Sequence, residues 1–321
     1  MADNRIVEMK KVPLLSICIP TYNRLDVLRN TINSIYRDAT PEIYSLFEII
    51  ISDNSTEQNC KAVVDEFAKY GNFYYYSTKC EGFLNSFHAL SYGKGKFLKL
   101  HNNTAMLKKG ALSHMIQLIE ECIQNKPFLF FTDGYRLNGS IHYHSTFESF
   151  MYDASYFTSW SSGFGIWKDD FERVKSVPLN KFFPQTSLLV TQSYKEEYWV
   201  DDVNLFITQD VPQKGGYNIF KAFSVDYLNI IKDVMEQGTI SEKCYGYIKE
   251  SLLFKFLSVR YFKTVIAKMD KFDYSDVDKN LKINYSRPDY VLFKISSLWG
   301  PFRFLLREFY RKHFTGLKKQ V

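Results

Sequence analysis

Three short polar segments near the front of the chain hold residue types suited to gripping a nucleotide and its phosphates. Pro20-Thr-Tyr-Asn-Arg24 follows the apolar run 14–19, Asp53-Asn54-Ser55 follows 47–51, and His101-Asn-Asn-Thr104 follows 97–100. The first turn, with Pro20, Tyr22 and Asn23, can offer backbone groups and a ring to a base and ribose. Asp53 and Asn54 either meet a ligand or form an Asx turn that caps the next helix. Farther along, Thr158-Ser-Trp-Ser-Ser-Gly-Phe-Gly165 suits an acceptor loop, because glycines allow close approach and Trp160 or Phe164 can stack on a sugar face. The same stretch would also serve as loops packed under later helices. His142 and His144 are spaced like a metal-ligand pair, with no third ligand nearby in sequence. His101 reads as a phosphate contact or as a satisfied structural histidine. No Walker-type loop or G-x-S-x-G elbow is present, and Gly93-Lys-Gly95 is too short to be either.

Positioning such segments requires strands that end where they begin. Residues 14–19, 47–51, 72–77, 97–100 and 127–132 read as five strands, and Leu25, Leu28, Ile32 and Ile35 recur at helical spacing between the first two. Ser55 with Gln58 suggests a capping box that opens a helix to about residue 70. Further helices are expected over 84–92, ended by Gly93 and Gly95, and over 107–124. Strands alternating with helices imply an α/β fold with a doubly wound, mostly parallel sheet, whose ligands bind beyond the carboxyl ends of the strands. From 138 to 183 the pattern loosens into loops and short strands. Helices resume over 220–234 and 241–267, and 270–284 reads as a polar linker. The organisation expected is a catalytic domain over 1–215, a helical continuation over 216–283 packing on it, and a basic tail over 284–321.

With 321 residues, 45% hydrophobic and 24% charged, the chain is neither disordered nor fibrous, and it is long enough to bury a core without disulfides or metal. The net charge of +6 resides in the tail, where eight Lys/Arg face Asp289 and Glu308, so the first 283 residues are neutral overall. That argues against a nucleic-acid binder. In the tail Leu292, Ile295, Trp299, Phe302, Leu306 and Phe309 fall on one helical face and Arg303, Arg307 and Arg311 on another, with a kink expected at Gly300-Pro301. This is the make-up of a helix lying in an anionic membrane interface; a helix docked on its own domain and a helix meeting an acidic partner are the alternatives. Five scattered cysteines point to a reducing compartment, and no apolar stretch reaches the ~20 residues of a membrane span. No signal peptide is visible.

Leu15-Ser-Ile-Cys-Ile-Pro-Thr-Tyr-Asn-Arg24, a helix, and Ile51-Ser-Asp-Asn-Ser-Thr56 together resemble the opening of family 2 glycosyltransferases, which have the GT-A fold. Glu81-Gly-Phe83 with Gly95-Lys-Phe-Leu-Lys-Leu100 is similar to the family's approach to its metal motif. Lys214-Gly-Gly-Tyr-Asn-Ile-Phe220 resembles a block of bacterial capsule and O-antigen members. The likeness runs from about 14 to 267. It implies a nucleotide-sugar donor, with Asp53 accepting hydrogen bonds from the base, and a glycan or lipid-linked glycan acceptor. It also implies inversion at the anomeric carbon, with the enzyme at the inner face of a bacterial cytoplasmic membrane.

The family's Asp-x-Asp motif, which helps hold Mg²⁺ or Mn²⁺ on the diphosphate, is replaced here by His101-Asn102-Asn103-Thr104. Amide oxygens such as that of Asn103 bind a hard cation more weakly than carboxylates do. The site thus holds metal chiefly through the substrate, or works without metal through cationic side chains or helix amides, or belongs to an inactive relative. The family's catalytic carboxylate has its nearest match at Gln185-Thr186, again without an acid. Candidate bases are then Asp133, favoured for its place after a strand, Asp169 or Asp170, and Asp201 or Asp202. A non-catalytic nucleotide- or glycan-binding scaffold on the same fold is the competing reading.

Overall fold

In the computed structural model, residues 12–56, 60–211 and 215–314 are described. Strands β1 (Leu15–Thr21), β2 (Phe47–Asp53), β3 (Phe73–Ser77) and β4 (Phe97–Leu100) pair in parallel in the order β3-β2-β1-β4. Ile17 lies opposite both Ile49 and Lys99. Successive strand side chains point to opposite faces. Ile17, Ile19, Ile49 and Ile51 therefore enter one apolar core, and Cys18, Ile50, Leu98 and Leu100 the other. Helices α1 (Leu25–Asp38), α2 (Lys61–Phe67), α3 (Asn85–Tyr92) and α4 (Ala111–Glu121) supply the crossovers. Leu28, Ile32 and Ile35 of α1 are all buried, as their spacing requires. Gly93 and Gly95 serve packing: a Cβ on Gly95 would sit 2.7 Å from the Ser16 backbone nitrogen. Glu48 Oε1 accepts there from Ser16 Oγ and the Lys94 and Gly95 amides.

Beyond β4 the chain builds smaller sheets. β5 (Ala105–Leu107) precedes α4, and β6 (Phe128–Phe131) and β7 (Ile141–His144) follow it. After α5 (Phe147–Ala154), β8 (Gly165–Trp167) adds antiparallel to β4, and α6 (Lys168–Val174) and α7 (Pro184–Val190) come next. β9 (Tyr198–Asp201) lies between β6 and β7, and β10 (Phe206–Thr208) pairs with β5. The fifth expected strand, β6, thus heads a separate three-stranded sheet. A single bridge from Phe130 to Phe164 joins it to the region of β8.

β11 (Gly215–Asn218) leads into α8 (Ile219–Lys221), a π-helical segment and α9 (Leu228–Glu236). α10 (Glu242–Ser251) and α11 (Ser258–Tyr261) are likewise continued by π-helical segments, Leu252–Leu257 and Phe262–Ile266. β12 (Lys271–Asp273) pairs with β11, followed by α12 (Val277–Asn284) and α13 (Arg287–Phe314). These helices share one core with the sheet: Phe220, Tyr227, Leu252, Leu281 and Phe293 pack in the cluster that contains Leu98 and Leu100.

Three expectations are corrected. The stretch 138–183 holds two helices. In α5, Phe147, Phe150, Met151 and Ala154 form a buried stripe, and the Thr146 side chain caps it. Residues 270–284 are not a linker, since Phe272, Val277 and Leu281 anchor β12 and α12 in the core. Ser55 opens no helix: its hydroxyl is drawn to Asp53 and the Asn23 amide, and α2 begins at Lys61. Gln58, its proposed partner, lies outside the described residues, as does Lys214. The Gly300-Pro301 pair lies within a continuous 28-residue helix.

Candidate functional site: converging polar turns beside an aromatic cavity

The parallel strands end on one edge of the sheet, which brings the three polar turns together. Asp53, 1% exposed, closes β2 with its carboxylate fully engaged. Oδ1 accepts from the Ser55 amide (2.9 Å) and hydroxyl (2.5 Å), and Oδ2 from the Tyr75 hydroxyl (2.9 Å). Ser55 Oγ in turn accepts from the amide of Asn23, which adopts a left-handed φ of 47° that Asn tolerates. Pro20 sits half-buried near the end of β1 opposite Ser52, and Tyr22 beyond it is 52% exposed, its ring open to a ligand. Asn54 donates to the carbonyls of Cys80 and Gly82. Asn85 fastens these turns: its amide nitrogen donates to the Thr21 and Ser52 carbonyls and to Asn54 Oδ1, and its oxygen accepts from Ser52 Oγ.

The third turn divides in two directions. Asn103 faces the first turn, donating to Thr21 Oγ1 (2.9 Å), while its Oδ1 lies 3.5 Å from Arg24 Nη1 and its carbonyl accepts from Thr31. Asn102 faces the loop after α5: its amide donates to Ser162 Oγ and its Oδ1 accepts from Ser161 Oγ. Both side-chain oxygens already have donors, and a guanidinium rather than a carboxylate adjoins Asn103. The pair therefore does not fit a resident divalent cation. Arg24 is half-buried and burial lowers its pKa, but an arginine stays charged in proteins, so a cation stands where the family's motif would place acids.

His101 is buried with one ring nitrogen bonded to the Ala105 carbonyl. Burial, with Lys99 nearby, lowers its pKa to about 3, which leaves a neutral structural ring. Lys99 is itself buried in β4, donating to the Leu100 and Ser162 carbonyls.

The expected bases are placed as follows. Asp133 is buried after β6, and its Oδ1 accepts from the Leu205 (2.7 Å) and Phe206 (2.8 Å) amides. Asp169 is exposed at the start of α6 and pairs with Lys126. Asp170 meets Arg173 and Lys195. Asp201 meets His114, and Asp202 accepts from Thr132 and the Arg136 amide. Gln185 differs from all of these, since it lines a cavity while donating to the Ser159 carbonyl (2.7 Å).

That cavity, about 890 Å³, is lined by Asn102, Ser161, Trp160, Phe157 and Phe183 together with residues of the C-terminal helices. Sequence reasoning found Trp160, Ser162 and Gln185 but missed Asn85 and Tyr75, which are ordinary polar or aromatic residues outside any motif. It also found His142 and His144 without Asp153. Asp153 lies on α5 and accepts from both rings, at 2.6 and 3.0 Å, and pairs with Arg136 at 2.9 Å. The three ligand atoms lie within 4.8 Å of one another, spacing compatible with an ion, although the guanidinium already supplies a positive partner.

With this geometry in view, residues 16–153, which contain all three turns, match the profile of "Glycosyl transferase family 2". Residues 16–153 thus carry that family's signature, and the chain is a glycosyltransferase of this type. This glycosyltransferase is 24% identical over 317 residues to a Campylobacter jejuni enzyme, GalNAc(5)-diNAcBac-PP-undecaprenol beta-1,3-glucosyltransferase, and the match covers 89% of this chain and 94% of that one. In fold it is similar to S. aureus TarS (TM-score 0.57, 13% identity, covering 93% of this chain and 89% of that one). It is also similar to TarS in complex with UDP-GlcNAc (0.54, 15%, 84% and 78%). A third likeness is to the mannosyltransferase PcManGT of Pyrobaculum calidifontis in complex with GDP-Man and Mn2+ (0.52, 10%, 94% and 86%). These structural likenesses establish the GT-A-like α/β architecture of the glycosyltransferase.

Proposed function

We propose that this glycosyltransferase moves a hexose from a nucleotide-sugar donor, held at the converging turns, onto a lipid-linked glycan acceptor of a bacterial surface polysaccharide. The acceptor hydroxyl attacks the anomeric carbon from the side opposite the nucleotide and gives up its proton to solvent water. The bond to the diphosphate breaks, and the nucleoside diphosphate leaves with configuration inverted. Tyr22, Asn23 and Asp53 face the nucleoside, with Asp53 exchanging its Tyr75 and Ser55 bonds for the base. Arg24, beside Asn103, supports the departing diphosphate in place of a carboxylate-bound metal. Gln185 and Trp160 orient the acceptor from the cavity wall.

The observation that carries this reading is the adjacency of the donor turns and the aromatic cavity, with Asn102 in both. The acceptor's class is suggested by the C. jejuni relative, whose name gives a PP-undecaprenol-linked glycan as its acceptor. We further propose that α13 holds the enzyme on the inner face of the cytoplasmic membrane. No helix among the described residues is long and apolar enough to cross a bilayer. Yet α13 docks through buried Phe293 and Ser297 while leaving Leu298, Trp299 (68%), Phe302 and Leu305 exposed. An amphipathic helix of this kind suits an interface. The Arg303, Arg311 and Lys312 side chains and Lys318 and Lys319 fall outside the described residues.

The test is a panel of nucleotide sugars incubated with the full chain and either bacterial lipid extract or water-soluble oligosaccharides. Transfer of label into the organic phase is expected with one donor. Transfer to soluble glycans alone would overturn the lipid-linked acceptor.

A further inference from the structure

The 890 Å³ cavity is larger than a sugar alone needs and chemically unlike a sugar subsite at its far end. Four basic residues, Lys255, Arg260, Lys263 and Arg307, contribute to its wall, and no Asp or Glu does so among the described residues. Arg307 donates through Nη2 to the Tyr135 carbonyl, while its Nε is a buried donor without a partner. Arg260 pairs with Asp270 at 3.8 Å, a separation longer than a hydrogen bond. Much of the remaining wall is aromatic or aliphatic, and two π-helical segments supply Phe254, Phe256 and the cations Lys255 and Lys263. π-helical turns recur at functional sites.

Part of the wall is made by α13. Leu292, Ile295 and Trp299 line the cavity, yet all three are also more than half exposed, on the helix assigned above to the membrane interface. The lining therefore combines Asn102 of the donor turns, four cations and apolar residues of α13 that are also exposed on the surface. A ligand matching all three carries a sugar, an anion and a hydrocarbon chain.

We propose that this cavity seats the diphosphate and first isoprene units of a polyisoprenyl-diphosphate acceptor, with α13 serving both as membrane contact and as the wall along which the lipid enters. Arg260, Arg307 and Lys255 meet the diphosphate, and the aromatic wall meets the isoprene. This rests on the lipid-linked reading above and adds to it the place where the lipid is held.

The test uses the full chain and intrinsic fluorescence, since Trp160 and Trp299 both line the cavity. The probes are farnesyl diphosphate, farnesol and inorganic diphosphate. Farnesyl diphosphate is expected to quench saturably and to bind at least about tenfold tighter than either part alone, as expected when charge-assisted bonds add to apolar contact. Arg260→Gln should weaken farnesyl diphosphate by about tenfold while leaving farnesol unchanged. Lys255→Glu, farther from the packed core, should do the same, and it guards against a folding defect in the first variant. Equal affinity for farnesol and farnesyl diphosphate, or unaltered affinity in both variants, would overturn the assignment. Nucleotide-sugar binding is measured on the same samples. Donor binding without farnesyl diphosphate binding defeats this inference and leaves the transferase reading standing. The reverse pattern keeps the cavity's ligand and defeats the donor site.

Discussion

Lys99 offers the sharpest test of how the site's central strand is held. Its amine is 1% exposed, and its hydrogen bonds go to the Leu100 carbonyl (2.8 Å) and to the Ser162 carbonyl. It also lies over the Phe131 ring at 4.7 Å. Burial drives its pKa from 10.5 down to about 7, and Asp201, Cys18 and Asp133 only partly oppose this. The linkage sign follows. The unfolded chain keeps the proton up to about pH 10, whereas the folded chain gives it up near pH 7. A folding penalty is therefore complete below about pH 7 and vanishes as pH rises to about 10. At about 1.4 kcal/mol per unit, the penalty at neutral pH is ~3–5 kcal/mol.

Lys99→Met removes that penalty and keeps the bulk, but two carbonyls lose a donor at ~1 kcal/mol each. The variant is expected to gain ~1–3 kcal/mol at pH 7, a rise of a few degrees in Tm. It should lose the gain by pH 10, where only the missing bonds count. The readout is the difference in Tm between variant and parent from pH 6 to pH 10. That difference cancels Cys122 and Tyr227, whose raised pKa values act in both proteins. A variant equally destabilised at pH 7 and pH 10 would show that the buried amine is charged and needed, and the argument from burial would fail.

Asp53→Ala strands the Ser55 amide and hydroxyl, so a stability loss of ~1–3 kcal/mol is expected together with at least a tenfold loss of nucleotide affinity by calorimetry. Full affinity would remove Asp53 from the donor site. Because Arg24 rather than an acid adjoins Asn103, EDTA should leave transfer intact while Arg24→Ala lowers kcat by ~10-fold or more; activity lost in EDTA and restored by Mn²⁺ would reassign the role to metal. At Asp153, burial disfavours the ionised carboxylate, but hydrogen bonds from His144 and His142 and the charge of Arg136 outweigh it and hold the group down to about 2. Its contribution is thus present above about pH 4 and lost as pH falls toward 2. Asp153→Asn should cost ~1–2 kcal/mol at pH 7 and progressively less below pH 4, read by urea unfolding at each pH. Replacing Leu298, Trp299 and Phe302 together by Ser should cut binding to anionic vesicles on the order of a hundredfold in a sedimentation assay, with Tm unchanged because all three are exposed. Undiminished binding would mean that α13 has no part in membrane contact.

The alternation of apolar runs with polar turns made the front half legible. β1 to β4, α1 and α3 appear where hydrophobic spacing puts them, because a strand covered on both faces must be continuously apolar and an interior-facing helix must repeat every three or four residues. The polar ends of those strands had to gather at one edge once the strands ran parallel, so the turns at 20–24, 53–55 and 101–104 could be singled out from one dimension.

Local sequence had no comparable hold on what lies beyond β4. Phe272, Val277 and Leu281 look like isolated apolar residues in a polar stretch until the core closes over them. Asp153 completes the His142–His144 cluster from another element, and Asp133, favoured as a base, spends its carboxylate on two amides more than 70 residues away. What the amino-acid order determined alone was the family's α/β frame and the edge where its ligand turns lie, since those follow from short-range periodicity. The satisfied state of each carboxylate, the cationic aromatic chamber and its α13 wall were decided by the tertiary structure, because hydrogen-bond partners and enclosed volume depend on which distant segments are brought into contact.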